Sequence, residues 1–132
     1  SVVINSFCLQ AYKYNNIKIN TNPNNYRNFI YVKDISKEIT LNIKKKQKDF
    51  FLIKNIGSNQ NYTLKEVAKI IKKIFKSSLN KNLKIILKNK KNNKEKIFKD
   101  ENNNILNTKK FTNLKSGILN LINFINIKNG KV

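Results

Sequence analysis

This chain has no histidine and a single cysteine, Cys8. A disulfide within the chain is therefore excluded, and so is a metal site built from cysteine and histidine ligands. The seven acidic residues are dispersed, so a carboxylate cage around a metal ion is not expected. Because no imidazole is present to activate its thiol, Cys8 is predicted to be a small buried hydrophobic residue on a helix rather than a nucleophile.

Long apolar runs are also missing. No stretch approaches the ~18 apolar residues that a membrane-spanning helix needs. The first residues do not show the charged region and apolar stretch of a secretory signal. We therefore expect a cytoplasmic protein with no membrane contact. The chain starts at Ser1 rather than at a methionine, which suggests a fragment or a processed product of a longer chain.

Acidic residues are so few that the formal net charge is +21. Clustered lysines can bind the phosphates of nucleic acids, so a basic nucleic-acid-binding module is one alternative. Here, however, lysine runs from Lys13 to Lys131 and is interleaved with asparagine and isoleucine. That mixture is typical of a strongly AT-biased genome. We interpret most of the charge as solvated surface and regard a nucleic-acid partner as the weaker alternative.

The 132 residues fit a single domain, spanning 1–132. Hydrophobic periodicity predicts the order α-β-β-α-β-α-β-α, which indicates an α/β fold with a small mixed layer. Asp34 is predicted to N-cap a helix that places Ile35, Ile39 and Ile43 on one face. Thr63 to Glu66 forms a capping box at the start of the best-defined helix. The predicted strands are 17–20, 29–32, 50–56 and 83–87, and the predicted helices are 1–14, 34–45, 64–75 and 114–125.

Arg27 is the only arginine, in a chain that otherwise uses lysine for every positive charge. Its guanidinium group is a planar fork that can bind a phosphate through two hydrogen bonds, whereas lysine offers a point charge. At the start of a short apolar segment, such a fork indicates an anion contact, and a phosphate is the expected anion. The alternative is an ordinary surface arginine in a loop.

Three motifs follow one another in a fixed order. An arginine motif leads into a helix, a strand ends in a glycine turn before the capping box, and a polar segment around Asp100 precedes a small-residue helix start. The motifs are Arg27-x-Phe29-Ile30-Tyr31-Val32-x-Asp34, Asn55-Ile56-Gly57-Ser58 with Tyr62-Thr63-Leu64-Lys65-Glu66-Val67, and Leu114-Lys115-Ser116-Gly117-Ile118. Their order resembles the C-terminal, substrate-binding part of the extended short-chain dehydrogenases, the NAD-dependent nucleotide-sugar epimerases and dehydratases.

The resemblance implies a nucleotide-diphosphate sugar as the ligand. It implies that Arg27 contacts the diphosphate and that Ile19 and Asn20 lie close to the nucleotide base. The second arginine of the family has no match here, and Lys90 or Lys91 would replace it as a point charge. The loop before Arg27 carries asparagines where the family has glycines, and asparagine tolerates a left-handed backbone better than most residues.

The chemistry of the family needs parts that this chain lacks. A dinucleotide fingerprint requires three closely spaced glycines, but Gly57, Gly117 and Gly130 are far apart. The resemblance therefore implies that NAD is bound by an N-terminal Rossmann domain outside this chain. The string Tyr14 to Lys18 matches Tyr-x-x-x-Lys but spans a predicted helix end, so its side chains would not share a face. We expect no catalytic activity from these residues alone, and a decayed, non-functional remnant is a further alternative.

Overall fold

The structure is a computed structural model, and it describes residues 2–44, 55–58, 61–88 and 111–129. Across these ranges it shows a small mixed α/β fold, as the sequence predicted. The predicted strand 50–56 lies largely outside the described residues. The helices are α1 (Val3–Tyr14), α2 (Val32–Lys44), α3 (Leu64–Leu79) and α4 (Leu114–Asn129), and the strands are β1 (Asn16–Ile19), β2 (Tyr26–Asn28), β3 (Asn61–Thr63) and β4 (Lys84–Leu87).

The strands form two separate pairs. Strands β1 and β4 are parallel, and their register runs from Asn16 opposite Lys84 to Ile19 opposite Leu87. Strands β2 and β3 are antiparallel, with Arg27 opposite Tyr62. A parallel pair needs a long crossover, and here the crossover contains β2, α2, β3 and α3.

The core lies between α1, α3, α4 and the parallel pair. Helix α3 contributes the largest share of it, because its apolar residues recur at helical spacing and face α1 and α4. Cys8 is fully buried in this core, as predicted for a small hydrophobic residue. The other buried apolar side chains are Phe7, Ala11, Ile17, Ile19, Leu64, Val67, Ala68, Ile71, Ile74, Phe75, Leu83, Ile118, Ile122 and Ile125.

The predicted capping box at the start of α3 is confirmed. The backbone N–H of Glu66 donates to Thr63 Oγ1 at 3.1 Å, and the backbone N–H of Thr63 donates to Glu66 Oε2 at 2.7 Å. Both groups would otherwise be unsatisfied donors of the first helical turn. This explains why the helix begins at Leu64, directly after β3.

The prediction of a strand over 29–32 is wrong. The strand β2 lies earlier, at Tyr26–Asn28, because these are the residues that pair with β3. Val32 is already the first residue of α2. The apolar run that suggested a strand is instead a short connection that lines a surface cavity with Phe29, Ile30 and Tyr31.

The prediction that Asp34 N-caps α2 is also wrong. The helix begins two residues earlier, and the backbone N–H of Asp34 donates to the carbonyl of Tyr31 at 2.9 Å. Asp34 is the buried residue of α2, and its carboxylate accepts hydrogen bonds from Thr112 rather than capping its own helix. The isoleucine face of α2 does not enter the core, since Ile39 and Ile43 are exposed.

Asparagine rather than glycine takes the left-handed backbone positions in the described residues. Asn15 ends α1 and Asn80 ends α3, each at φ 50°. Because α1 stops at Tyr14 and Lys18 lies in β1, these two side chains do not share a helical face. Among the described helices, none has both the length and the apolar character to cross a membrane.

Candidate functional site

The carboxyl ends of β1 and β4 meet at one edge of the parallel pair. The backbone N–H of Lys88, just after β4, donates to the carbonyl of Ile19, the last residue of β1, at 3.0 Å. Asn20 follows on the neighbouring strand, and both Asn20 and Lys88 are exposed. Ligands of parallel α/β sheets bind outside the carboxyl ends of the strands, so this edge is the natural place for a site.

A short polar loop carries the chain from this edge to Arg27. The backbone N–H of Asn24 donates to Asn22 Oδ1 at 3.0 Å, which closes a turn of the kind that asparagine favours. None of the described asparagines in this loop uses a positive φ, so hydrogen bonding replaces the backbone freedom of glycine. The turn therefore forms without glycine. A side-chain hydrogen bond of Asn22 stabilises it, rather than the left-handed asparagine backbone that the sequence suggested.

The same loop is tied to the first turn of α3. The backbone N–H of Leu64 donates to the carbonyl of Asn25 at 3.2 Å, and that of Lys65 donates to the carbonyl of Pro23 at 3.0 Å. Asn25 is buried, and its Oδ1 has no hydrogen-bond partner among the residues that the structure describes. The loop before Arg27 is thus hydrogen-bonded to the first turn of α3, a helix of the core.

Arg27 lies in the middle of β2 with its side chain exposed. Its Nη1 donates to the carbonyl of Tyr26 at 3.0 Å, which holds the guanidinium group against its own strand. Tyr62 lies directly opposite on β3, so the two side chains project from the same face of the ribbon. An exposed cationic fork next to an aromatic ring can bind an anion and stack on a planar group.

Asn28 fixes the turn beside Arg27, and this role was missed in the sequence. Its Nδ2 donates to the carbonyl of Ser58 at 2.7 Å, and its Oδ1 accepts from the backbone N–H of Ser58 at 2.7 Å. A Cβ at Gly57 would lie 3.4 Å from Asn28 Oδ1, an ordinary contact distance, and the φ of Gly57 is not positive, so the geometry of this turn does not require glycine. No local sequence pattern predicts the hydrogen bonds between Asn28 and Ser58, because the two residues lie 30 positions apart.

The predicted site residues differ in exposure and in position. Arg27 and Asn20 are exposed at the two ends of the loop, whereas the Ile19 side chain is buried in the core, so Ile19 could meet a ligand only through its backbone. Lys90 and Lys91 lie outside the described residues. Lys88, exposed at the end of β4, is a positive charge that the structure places beside Asn20 and that sequence reasoning passed over.

The described residues do not fit a dinucleotide or a metal ion. Gly57 packs against Asn28 and Gly117 lies inside α4 against Tyr31, so neither provides a strand-to-helix turn that a pyrophosphate could approach. The loop that follows β1 contains no glycine. In the described part of the chain, no group of three histidine, cysteine, aspartate or glutamate side chains could hold a metal ion.

No family model matches this chain, and no curated protein matches it. The geometry of the site and the resemblance of the motifs are therefore the grounds for a functional proposal.

Proposed function

We propose that this chain is the nucleotide-sugar-binding lobe of an NAD-dependent epimerase or dehydratase. The observation that carries the proposal is the exposed Arg27 side chain on β2, one short loop away from the carboxyl ends of β1 and β4. An arginine fork one short loop from the carboxyl ends of a parallel pair suits a diphosphate. The order of motifs along the chain agrees with this role.

The diphosphate is proposed to lie against Arg27, with a second positive charge from the end of β4. Arg27 would form two parallel hydrogen bonds to one phosphate group, which fixes its orientation as well as its position. Lys88 would add a point charge at the far end of the loop, as we expected for Lys90 or Lys91. Together these charges would offset those of a diphosphate without a bound metal.

The nucleotide base is proposed to lie near Asn20 or over the ring of Tyr62. Asn20 offers both a donor and acceptors to the edge of a base. Tyr62 is only half-buried and faces the same side as Arg27, so its ring can stack on a planar group. Neither contact selects a particular base, so specificity for the sugar would come from elsewhere.

This lobe would bind and orient its ligand without performing the reaction. The described residues do not provide a cradle for NAD, and Tyr14 and Lys18 do not share a helical face. The cofactor and the catalytic residues would belong to a separate Rossmann domain. The purified chain is therefore expected to bind nucleoside diphosphates but to leave a nucleotide sugar unchanged.

The direct test measures binding of nucleoside diphosphates by calorimetry with the native chain and with Arg27→Lys. The conservative change keeps the charge but removes the fork, so binding should weaken by about 1–3 kcal/mol, or roughly 5- to 150-fold in Kd. Lys69→Gln is the matched control, because it removes one charge from the exposed side of α3. Equal affinities of the native chain and Arg27→Lys would disprove the assigned role of Arg27.

A second candidate function rests on a row of lysines along α3. Four exposed lysines recur at helical spacing on the side of the helix that faces away from the core: Lys65, Lys69, Lys72 and Lys76. Such a row can follow a phosphate backbone, and binding would then fall steeply with salt. Here Lys69→Gln would weaken binding of a short single-stranded oligonucleotide while Arg27→Lys would not, which reverses the outcome expected above.

A further inference from the structure

The parallel pair of β1 and β4 has two outer edges, and a side chain closes the edge of β1. The backbone N–H of Lys18 donates to Gln10 Oε1 at 2.9 Å, so a residue of α1 takes the place of a neighbouring strand. Gln10 is held by Ser6 of the same helix, whose Oγ accepts from Gln10 Nε2 at 3.1 Å. Another strand could pair with β1 at this point only by displacing the Gln10 amide.

The outer edge of β4 has no third strand beside it in the part of the chain that the structure describes. The backbone N–H groups of Lys84 and Lys88 donate to carbonyls on the β1 side, at 3.1 and 3.0 Å. Because backbone groups alternate in direction along a strand, those of Ile85 and Leu87 point away from β1. These two residues form an edge with which another strand can pair.

The core beneath β4 is also less well covered than the core beneath β1. Ile17 and Ile19 of β1 are 0% and 1% exposed. Ile85 and Leu87 of β4 pack against the same core but are only half-buried. A further strand beside β4 would place its own apolar side chains next to them and remove them from water.

The face of β4 that points away from the core is basic. Strand alternation places Lys84, Ile86 and Lys88 together on this face. Both lysines are exposed, and Ile86 is 39% exposed. Lys18, opposite Ile86 on β1, is exposed as well. Opposite charges on neighbouring strands stabilise pairing and like charges weaken it, so an added strand is favoured if it carries carboxylates on this face.

These features favour an acidic strand over the other possible occupants. A second copy of β4 would bring lysines against lysines, and each copy of the chain has a net charge of +21. A nucleic acid could meet the lysines through its phosphates, but it has no peptide groups to pair with the backbone of the edge. An extended peptide with carboxylates on one face and apolar side chains on the other fits the backbone, the core and the charges together.

We propose that the outer edge of β4 binds an extended acidic segment of another protein, which adds to the pair as a third strand. Five residues of the partner, in the order acidic, apolar, apolar, apolar, acidic, would span the edge. The acidic residues lie beside Lys84 and Lys88, and the second and fourth residues cover Ile85 and Leu87. The pattern is symmetric, so it fits either strand direction. The inference is independent of the proposed function.

The test uses a designed peptide about 9 residues long with the central sequence Glu-Val-Ile-Val-Glu. A second peptide has lysine in place of each glutamate, and a third is the acidic peptide with N-methyl groups on all central amides. The acidic peptide should bind the native chain, with an affinity that falls as salt is added. The basic peptide should not bind because of like charge, and the N-methylated peptide should not bind because it cannot donate to the edge.

Lys84→Glu should weaken binding of the acidic peptide at least about threefold, because an attractive cross-strand pair becomes a repulsive one. Lys72→Glu is the matched control, since it makes the same charge change on the exposed side of α3. It should bind the acidic peptide nearly as the native chain does. Lys88 is left unchanged in this test, because it is also proposed to meet the diphosphate.

Amide hydrogen exchange reports on the edge directly. In the free chain the backbone N–H groups of Ile85 and Leu87 should exchange fast, whereas that of Ile86, which points toward β1, should exchange slowly. Saturation with the acidic peptide should slow exchange at Ile85 and Leu87 and leave Ile86 as it was.

Five results would overturn the proposal. The first is no binding of the acidic peptide at about 1 mM. The second is equal binding of the N-methylated peptide, which would mean that no strand is added. The third is an equal loss in Lys72→Glu, which would mean that overall charge alone attracts the peptide. The fourth is slow exchange of Ile85 and Leu87 in the free chain, which would mean that this chain or a second copy already covers the edge. The last is tighter binding of a short single-stranded oligonucleotide that Lys84→Glu abolishes, which would favour a nucleic acid.

Discussion

The carboxylate of Asp34 joins the first turn of α2 to the residue pair that precedes α4. Its Oδ2 accepts from the backbone N–H of Thr112 at 2.7 Å, and its Oδ1 lies 3.2 Å from Thr112 Oγ1. Asn113 then caps α4, since its Oδ1 accepts from the backbone N–H of Ser116 at 2.9 Å. Among the described residues, this buried carboxylate with two donors ties α2 to the segment that precedes α4.

Asp34→Ala should lower the free energy of unfolding by about 1.5–3 kcal/mol, the range for hydrogen bonds to a charged group. The loss includes the backbone N–H of Thr112, which would be left without its acceptor. Denaturant unfolding measures the change, and Glu38→Ala, one turn later on the same helix, is the control. Thr112→Val should cost less, because it keeps the backbone donor. Equal stability of Asp34→Ala and the native chain would mean that the tie contributes nothing.

Local sequence patterns predicted the helices of the core correctly. They gave wrong predictions for residues whose structure depends on a partner far away in the sequence. Helices α1, α3 and α4 were predictable because their apolar residues repeat at helical spacing and bury against one another. Strand β2 was misplaced because its ends depend on pairing with β3, a polar Asn-Tyr-Thr segment with no strand signal of its own. Asp34 was predicted to cap its own helix because aspartate is a common N-cap residue. Its actual donor, the backbone N–H of Thr112, lies 78 residues away and leaves no local signal in the sequence.

Only part of the candidate site could be predicted from the sequence. The uniqueness of Arg27 could be read directly, and the structure leaves its side chain exposed. Ile19 was chosen for its place before the loop, but strand alternation turns its side chain into the core. Asn28 and Lys88 gave no signal, because their positions depend on a turn and a parallel strand formed by later parts of the chain.

Thr63→Ala should lower the free energy of unfolding by about 1 kcal/mol through loss of the cap on α3. The backbone N–H of Glu66 would lose its acceptor, while the apolar face of the helix would stay unchanged. Thr40→Ala, in the exposed middle of α2, is the control and should have little effect. Nucleoside-diphosphate binding should not change. A loss smaller than the error of the measurement would contradict the role of the cap.

Asn28→Ala should destabilise the fold and also disturb the neighbouring arginine. Removing the side-chain amide leaves both the N–H and the carbonyl of Ser58 without the partners described above, at a cost of about 1–3 kcal/mol. Asn42→Ala, near the end of α2, is the comparison. If the turn positions Arg27, nucleotide affinity in Asn28→Ala should fall under conditions in which the protein remains folded. Unchanged affinity would show that the turn supports stability only.

Asn80→Gly and Asn80→Ala should change stability in different ways. Asn80 ends α3 at φ 50°, a conformation that glycine adopts freely and alanine does not. Alanine should therefore cost about 1–2 kcal/mol, whereas glycine should be close to neutral. Thermal unfolding of the two variants side by side is the measurement. Lys76 Nζ lies 3.2 Å from Asn80 Oδ1, but this exposed contact adds little. Equal effects of the two substitutions would rule out a strained backbone at this position.

The thiol of Cys8 should not react in the folded protein at neutral pH. Burial raises the pKa of Cys8 to about 12, because the thiolate would lose its water in the core. The thiolate is the reactive form, so alkylation by iodoacetamide should be negligible in the folded state and complete in denaturant. Rapid labelling under native conditions would show that the core around α1 opens readily.

The same burial makes stability depend on pH at the alkaline end. In the unfolded chain the thiol ionises near its ordinary pKa of about 8.5, while in the folded chain the proton is kept up to about pH 12. Above pH 8.5 the unfolded state therefore binds fewer protons, and stability falls by up to about 1.4 kcal/mol per pH unit from this group. The contribution is fully present below the unfolded pKa. The contribution of the thiol is isolated by comparing the native chain with Cys8→Ala. The difference between their unfolding free energies should shrink as the pH rises from 8 to 10, and a constant difference would contradict the raised pKa.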